Sequence, residues 1–151
     1  MLSQADDTSM SHTIIEQFVA MYQKLHKDNL DLLADIYAPE VVFVDPLHQL
    51  SGLEQLTQYF EQLYQNINSI KFDIADVQQG QGRASIFWSM YFTHPKLAQG
   101  KTIKVEGVSH LKFNHKIYYH RDYFDVGQML YEHIPCIGNV ISFIKHKAAN
   151  S

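Results

Sequence analysis

The feature that most constrains the fold is a pair of neighbouring segments in which residues suited to a core alternate with polar ones. In the first segment the odd positions are apolar or small, and they are Ile103, Val105, Gly107, Ser109, Leu111 and Phe113. In the second segment, HRDYFD at residues 120–125, His120, Asp122 and Phe124 share one face. Because side chains of a β-strand point alternately to its two faces, both segments predict strands. The short sequence Asn114-His115 between them predicts an antiparallel hairpin.

The hairpin turn determines which residues of the two strands lie opposite each other. A two-residue turn at Asn114-His115 predicts that Ser109 pairs with His120 and that Gly107 pairs with Asp122. The inward face would then hold a carboxylate next to a residue that has no side chain. Glycine within a strand often marks the close approach of a ligand, so the pattern predicts space for a ligand beside Asp122.

Helical periodicity dominates the N-terminal half of the chain. Apolar residues recur every three or four positions from Thr13, again from Leu30 until Pro39, and along residues 53–67. These patterns predict three helices, the second of which is short. Residues 41–44 are β-branched or aromatic and predict a short strand between the second and third helices.

The remaining segments predict further strands and a last helix. Alternation at residues 70–74, glycines at positions 80 and 82, and the run 84–94 predict a second hairpin. Apolar residues beyond Gly127 keep a helical step that Pro135 interrupts, so a broken C-terminal helix is expected. Helices followed by an antiparallel meander are typical of an α+β fold with helices on one face of a curved sheet.

Length and composition predict a single domain. The chain has 151 residues, and 46% of them are hydrophobic, which is sufficient for one core. We expect a disordered polar lead-in at residues 1–12, a domain at residues 13–126, and a helical extension of the same domain at residues 127–151.

The net charge and the cysteine content limit the expected binding partners and the expected cellular compartment. The formal net charge is −4, which does not favour binding to nucleic acid. No apolar run reaches the ~18 residues of a membrane span. The single Cys136 cannot form an internal disulfide, so we expect a cytoplasmic protein.

The element order and the sequence YAPEVVFVDP at residues 37–46, followed by Gly52, resemble the SnoaL-like branch of the nuclear transport factor 2-like superfamily. The resemblance implies a cone-shaped fold in which a curved mixed or antiparallel sheet packs on three N-terminal helices around an apolar pocket. In ketosteroid isomerases of this superfamily the aspartate before the proline is the general base, which implies that role for Asp45. Tyr22 falls where those enzymes have their oxyanion-hole tyrosine, and the position of their second acid is about Ser109 here.

The sequence RDYFD at residues 121–125 resembles the last strand of limonene epoxide hydrolase-like proteins. The first aspartate of that sequence activates the hydrolytic water in those enzymes, which implies that role for Asp122. They also use an arginine and a second aspartate on the third strand, and residues 86–91 of this chain contain neither type. Polyketide cyclases of the same branch use an acidic residue aided by a histidine, and His120 beside Asp122 is similar in kind.

Four residues are therefore candidates for catalysis: Asp122, Asp45, His120 and Tyr22. An aspartate inside an apolar cone needs hydrogen bonds or a proton, and such a carboxyl group can act as a general acid or base. The alternative for Asp122 is a purely structural polar network, and the alternative for Asp45 is the cap of a turn. His120 and Asp122 would be ~7 Å apart on one strand face, so a substrate or water would have to lie between them.

The pocket wall is predicted from side chains on the inward faces, namely Phe60, Trp88, Met90, Phe92, Gly107, Ser109 and Phe124. The alternative is that these residues are ordinary core. The nine histidines show no ligand spacing with a carboxylate, so no metal site is expected. No organic cofactor is expected either. The resemblance also implies a homodimer formed through the outer face of the sheet.

These inferences lead to one hypothesis and one alternative. The hypothesis is a cofactor-independent isomerase, cyclase or hydrolase that uses carboxylate acid/base chemistry on a small apolar oxygenated molecule. The alternative is a non-catalytic protein that binds a lipid-like ligand or a protein partner on the same fold. The enzyme hypothesis expects Asp122 and Asp45 to open into one cavity.

Overall fold

The computed structural model of the chain describes residues 3–129 and 137–150, with the backbone alone at residues 3–12, 137–139 and 141. The helices are α1 (Ser3–Lys24), α2 (Leu33–Ile36), α3 (Leu53–Asn66), α4 (Val126–Met129) and α5 (Ile137–Ala149). The strands are β1 (Tyr37–Val44), β2 (Gln49–Ser51), β3 (Ser69–Gly80), β4 (Arg83–Thr93), β5 (Ile103–Phe113) and β6 (Ile117–Phe124). Short 3₁₀ turns occur at Leu30–Leu32 and Ala98–Gly100.

The strands form one six-stranded sheet in the order β2-β1-β6-β5-β4-β3. The pair β1–β6 is parallel, and every other neighbouring pair is antiparallel. The sheet is open and curved, and the helices pack on its inner face. The predicted class, α+β with a curved mixed sheet in a cone-shaped fold, is confirmed.

The core lies between the inner face of the sheet and two amphipathic helices. Residues at three- and four-residue steps on α1 and α3 are buried, and they are Ile14, Ile15, Phe18, Met21, Leu56, Phe60 and Tyr64. Leu25, directly after α1, is buried as well. Each large apolar side chain buried in this way contributes about 1.5–3 kcal/mol to folding. In the described part of the chain, no helix has both the length and the apolar character needed to cross a membrane.

The N-terminal elements differ from the prediction in three places. Helix α1 begins at Ser3 rather than Thr13, so it includes most of the stretch predicted as a disordered lead-in. Tyr37 opens β1 instead of ending the second helix, because the backbone becomes extended at that residue. The three-residue strand β2 was not predicted, since so short a segment carries no periodic signal. The division into a lead-in, a domain and an extension stays a prediction.

The β5–β6 hairpin has the predicted inward faces but a different register. Ser109 pairs with Asp122 and Gly107 pairs with Phe124, two residues away from the predicted partners. The connection is longer than the predicted two-residue turn, and the register shifts between Lys112 and Phe113, where one extra residue of β6 is accommodated. A shift by two residues preserves the face of every side chain, so only the pairing was wrong.

Candidate functional site

A cavity lies between α1, α3 and the inner face of the sheet, and its volume is about 90 Å³. Because one water molecule needs on the order of 10–15 Å³ by this measure, the cavity suits a ligand of roughly six to nine non-hydrogen atoms. Eight aromatic side chains line it, and they are Phe18, Tyr22, Phe43, Tyr59, Phe60, Phe72, Trp88 and Phe124. The other lining residues are Leu63, Ile74, Met90, Met129, Ser109, His120 and Asp122.

A continuous chain of hydrogen bonds runs through the wall of this cavity. The hydroxyls of Tyr22 and Tyr37 are 2.6 Å apart, and the Tyr37 hydroxyl is 2.7 Å from Nδ1 of His120. Nε2 of His120 lies 2.6 Å from Oδ1 of Asp122. Ser109 donates to the same oxygen at 2.5 Å and accepts a bond from Nε1 of Trp88 at 2.9 Å.

The two oxygens of Asp122 have different surroundings. Oδ1 accepts bonds from both His120 and Ser109, whereas Oδ2 has no hydrogen-bond partner among the described residues. The side chain of Asp122 is 18% exposed and lines the cavity, while that of His120 is 2% exposed. One oxygen therefore orients the carboxylate, and the other remains available to a ligand.

The direction of the hydrogen bonds defines the tautomer of His120. If Nε2 carries the proton and donates to Asp122, then Nδ1 accepts from Tyr37, and Tyr37 accepts from Tyr22. In the opposite direction the Tyr22 hydroxyl would have no acceptor among the described residues. The network therefore favours the tautomer of His120 in which Nε2 donates to Asp122 and Nδ1 accepts from Tyr37.

Burial keeps the hydroxyls of Tyr22 and Tyr37 protonated. Desolvation raises the pKa of Tyr22 and of Tyr37 well above the ordinary value, and the nearby carboxylate of Asp122 acts in the same direction. Both phenols therefore remain hydrogen-bond donors at neutral pH.

The structure corrects the expected spacing between His120 and Asp122. Their side chains form a direct hydrogen bond, so no substrate or water has to lie between them. The expected ~7 Å is the distance between backbone positions two residues apart, and the two side chains lean toward each other across it. Tyr22, His120 and Asp122 are thus brought to one cavity, as are Phe60, Trp88, Met90, Ser109 and Phe124.

Asp45 does not line the cavity. Its Oδ1 accepts bonds from the backbone N–H groups of Leu47 and His48, both at 2.7 Å, and the Tyr59 hydroxyl donates to its Oδ2 at 3.0 Å. The imidazole of His48 contacts the same carboxylate at 3.0 Å. These bonds are those of a turn cap, so the expectation that both aspartates open into one cavity is not met.

Two predicted wall residues also lie outside the cavity lining. Phe92 is buried in the core but does not line the cavity. Gly107 leaves no free space for a ligand, because Trp88 is its direct partner in β4 and the indole ring covers it. A Cβ atom at position 107 would overlap that ring, so the glycine permits close packing of Trp88.

Sequence reasoning missed Tyr37 and several lining residues. Phe43 and Phe72 alternate with polar or half-buried neighbours on β1 and β3, so the strand period contained a signal for their inward direction. Tyr37 had no such signal, because it continues the helical spacing of the preceding residues. Its contact with His120 joins residues 83 positions apart.

The described residues contain no cluster of histidine, cysteine or acidic side chains able to hold a metal ion. The arrangement that is present consists of one carboxylate, one imidazole, hydroxyl groups and an aromatic wall. This fold and cavity define a small-molecule pocket protein of the cone-shaped α+β type.

Comparison with known families identifies the family of this chain. The SnoaL-like domain model matches residues 16–120, and the chain belongs to that family. The predicted membership of the SnoaL-like and nuclear transport factor 2-like superfamily is confirmed. No match was found among curated protein sequences.

Solved structures show the same fold at low sequence identity. A candidate SnoaL-like polyketide cyclase from Jannaschia sp. CCS1 aligns with a TM-score of 0.68 and 12% identity over 78% of this chain and 88% of that one. A protein of ketosteroid isomerase-like fold from Catenulispora acidiphila DSM 44928, in complex with trimethylamine, aligns with a TM-score of 0.68 and 16% identity over 78% of this chain and 88% of that one. An epoxide hydrolase of limonene epoxide hydrolase type from M. tuberculosis aligns with a TM-score of 0.64 and 13% identity over 80% of this chain and 86% of that one. At these identities the likeness shows the fold alone.

Proposed function

We propose that this protein is a cofactor-independent isomerase, cyclase or hydrolase in which Asp122 is the general acid or base. The observation that carries the proposal is the asymmetric environment of its carboxylate. Oδ1 is held by His120 and Ser109, and Oδ2 has no partner among the described residues and belongs to a side chain that lines an apolar cavity. A carboxylate oriented in this way can accept a proton from a bound substrate or water and return it later in the reaction.

His120 and Tyr22 would support this step without leaving their positions. The N–H of His120 stabilises charge on Asp122 and fixes the plane of the carboxylate. In the hydrogen-bond direction derived above the Tyr22 hydroxyl donates to Tyr37, so its oxygen can accept a hydrogen bond from a ligand in the cavity that it lines. Tyr37, which does not line the cavity, would hold the tautomer of His120.

The alternative of a non-catalytic binding protein is supported by a different observation. Asp45 caps a turn, and residues 86–91 contain neither arginine nor aspartate, so Asp122 has no second carboxylate within the described lining. An aromatic cavity with a single structural polar network would suffice to bind a small ligand. The two functions differ in whether Asp122 is needed for turnover.

Two probes of suitable size separate these possibilities. Cyclohexene oxide in ¹⁸O-labelled water reports hydrolysis, and cyclohex-2-enone in deuterated water reports proton abstraction from carbon by NMR. We expect the wild type to transform at least one of them and Asp122→Asn to lose that activity. Binding of both probes without any conversion would instead support the non-catalytic alternative.

A homodimer through the outer face of the sheet also remains a proposal. Phe87, Val108 and Tyr123 lie side by side on β4, β5 and β6, and Phe87 and Tyr123 are exposed. An apolar row of this kind suits a contact between copies. Light scattering after size-exclusion chromatography would give the mass, and a monomer at micromolar concentration would contradict this proposal. The cytoplasmic localisation likewise stays a prediction.

A further inference from the structure

The cavity combines a carboxylate, that of Asp122, with a wall that contains no lysine or arginine among the described residues. From this geometry we infer that its ligand is a small oxygenated alkylammonium ion, such as an amino alcohol with methyl groups on nitrogen. The inference rests on the proposed function only in using the same cavity and the same carboxylate. It goes beyond that function because it specifies the charge of the substrate.

The carboxylate of Asp122 has no lysine or arginine partner among the described residues. No lysine or arginine is among the described residues that line the cavity. The two groups bonded to Oδ1, the imidazole of His120 and the hydroxyl of Ser109, are neutral in the hydrogen-bond direction derived above. An anion in an apolar cavity is unfavourable unless it is paired, so a ligand cation would supply the missing partner.

The aromatic wall suits the same class of ligand. Cations with methyl groups bind over the faces of aromatic rings, because the ring face carries negative charge. The eight aromatic side chains around the cavity would contact the methyl groups, while Tyr22 and Oδ2 of Asp122 provide polar partners for an oxygen atom. A neutral molecule of the same shape would gain the apolar contacts but not the attraction to the carboxylate.

The volume of the cavity agrees with this ligand class. A cavity of about 90 Å³ admits roughly six to nine non-hydrogen atoms. Choline falls in this range, and 3,3-dimethyl-1-butanol has the same shape with carbon in place of the charged nitrogen. The related anion 3,3-dimethylbutanoate reverses the sign of the charge. These three compounds therefore compare charge at nearly constant shape.

The test is a calorimetric or NMR titration of the wild-type protein with each of the three compounds. We expect choline to bind at least about tenfold more tightly than 3,3-dimethyl-1-butanol, and the anion to bind more weakly than both. In Asp122→Asn the preference for choline over the alcohol should fall to about threefold or less. Asp73→Asn is the matched control, because it removes the same charge from an exposed residue paired with Lys71 and should keep the preference.

Equal affinity for choline and the alcohol, a preference for the alcohol, or no binding of either would overturn the inference. The order of the affinities of the three compounds for the wild-type protein tests the inference even if Asp122→Asn does not fold. The result is also independent of turnover, because a neutral ligand could still be transformed by Asp122. Loss of the cation preference and loss of the proposed activity are therefore separate outcomes.

Discussion

Ser109 and Asp122 lie directly opposite each other in the β5–β6 ladder, and the Ser109 hydroxyl donates a 2.5 Å hydrogen bond to Oδ1 of the aspartate. The same hydroxyl accepts a bond from the indole N–H of Trp88 at 2.9 Å. One small side chain therefore satisfies a buried donor and orients the carboxylate at the cavity.

Replacing Ser109 by alanine should remove both contacts together. The indole N–H of Trp88 would be left buried without a partner, so we expect a loss of about 1–3 kcal/mol in the free energy of unfolding. Trp88 is the only tryptophan, and its fluorescence should also change in the folded state. Ser89→Ala, on the outer face of β4, is the control and should change stability by less than about 0.5 kcal/mol. An unchanged stability of Ser109→Ala would contradict the bridging role.

Gly107→Ala tests the packing of Trp88 on the sheet. The added Cβ atom would overlap the indole ring, and we expect a destabilisation of about 1–3 kcal/mol in chemical denaturation. Gly80→Ala is a matched control, since a Cβ atom there meets nothing within 4 Å. Equal effects of the two substitutions would show that Trp88 does not need the space at position 107.

Tyr37→Phe should disturb His120 through a residue that does not itself line the cavity. Nδ1 of His120 would lose its only described hydrogen-bond donor, so the two neutral tautomers would become closer in free energy. We expect the ¹⁵N chemical shifts of this imidazole to move toward a mixture of tautomers, with a stability loss of about 1–3 kcal/mol. The exposed Tyr118→Phe should leave both unchanged. Unaltered ¹⁵N shifts in Tyr37→Phe would contradict the positioning role.

Tyr64→Phe should increase stability, and the gain should grow at alkaline pH. The Tyr64 hydroxyl is buried without a hydrogen-bond partner among the described residues, and desolvation raises its pKa to about 12. Because the unfolded chain ionises this group near its ordinary pKa of 10.0, the wild type loses stability as the pH rises from about 10 toward 12. Denaturation at pH 8 and pH 11 should show a larger advantage of the phenylalanine variant at pH 11. A constant difference would contradict the raised pKa.

Part of the fold followed from local patterns. The period of two on β5 and β6 predicted correctly that Ser109, His120 and Asp122 face inward, because strand alternation fixes faces whatever the pairing. It could not predict the register, since the connection after Phe113 and the register shift beside it alter the pairing without altering the faces.

The chemistry of the site followed less directly from the sequence. Asp122 and His120 could be placed on one face, but their direct hydrogen bond depends on side-chain rotamers that periodicity does not report. Asp45 matched a family motif, yet the backbone N–H groups of Leu47 and His48 bind its carboxylate at the turn. Tyr37 reaches His120 only because β1 and β6 are parallel neighbours, a pairing that no local pattern indicates.

The most direct test of the central claim compares turnover of cyclohexene oxide and cyclohex-2-enone by the wild type, Asp122→Asn and Asp45→Asn. General acid/base catalysis by Asp122 predicts a decrease of about 10²–10⁴-fold in Asp122→Asn. Asp45→Asn should stay within about threefold of the wild type, because its carboxylate lies outside the cavity. Turnover that survives in Asp122→Asn, or that is lost equally in both variants, would contradict the account.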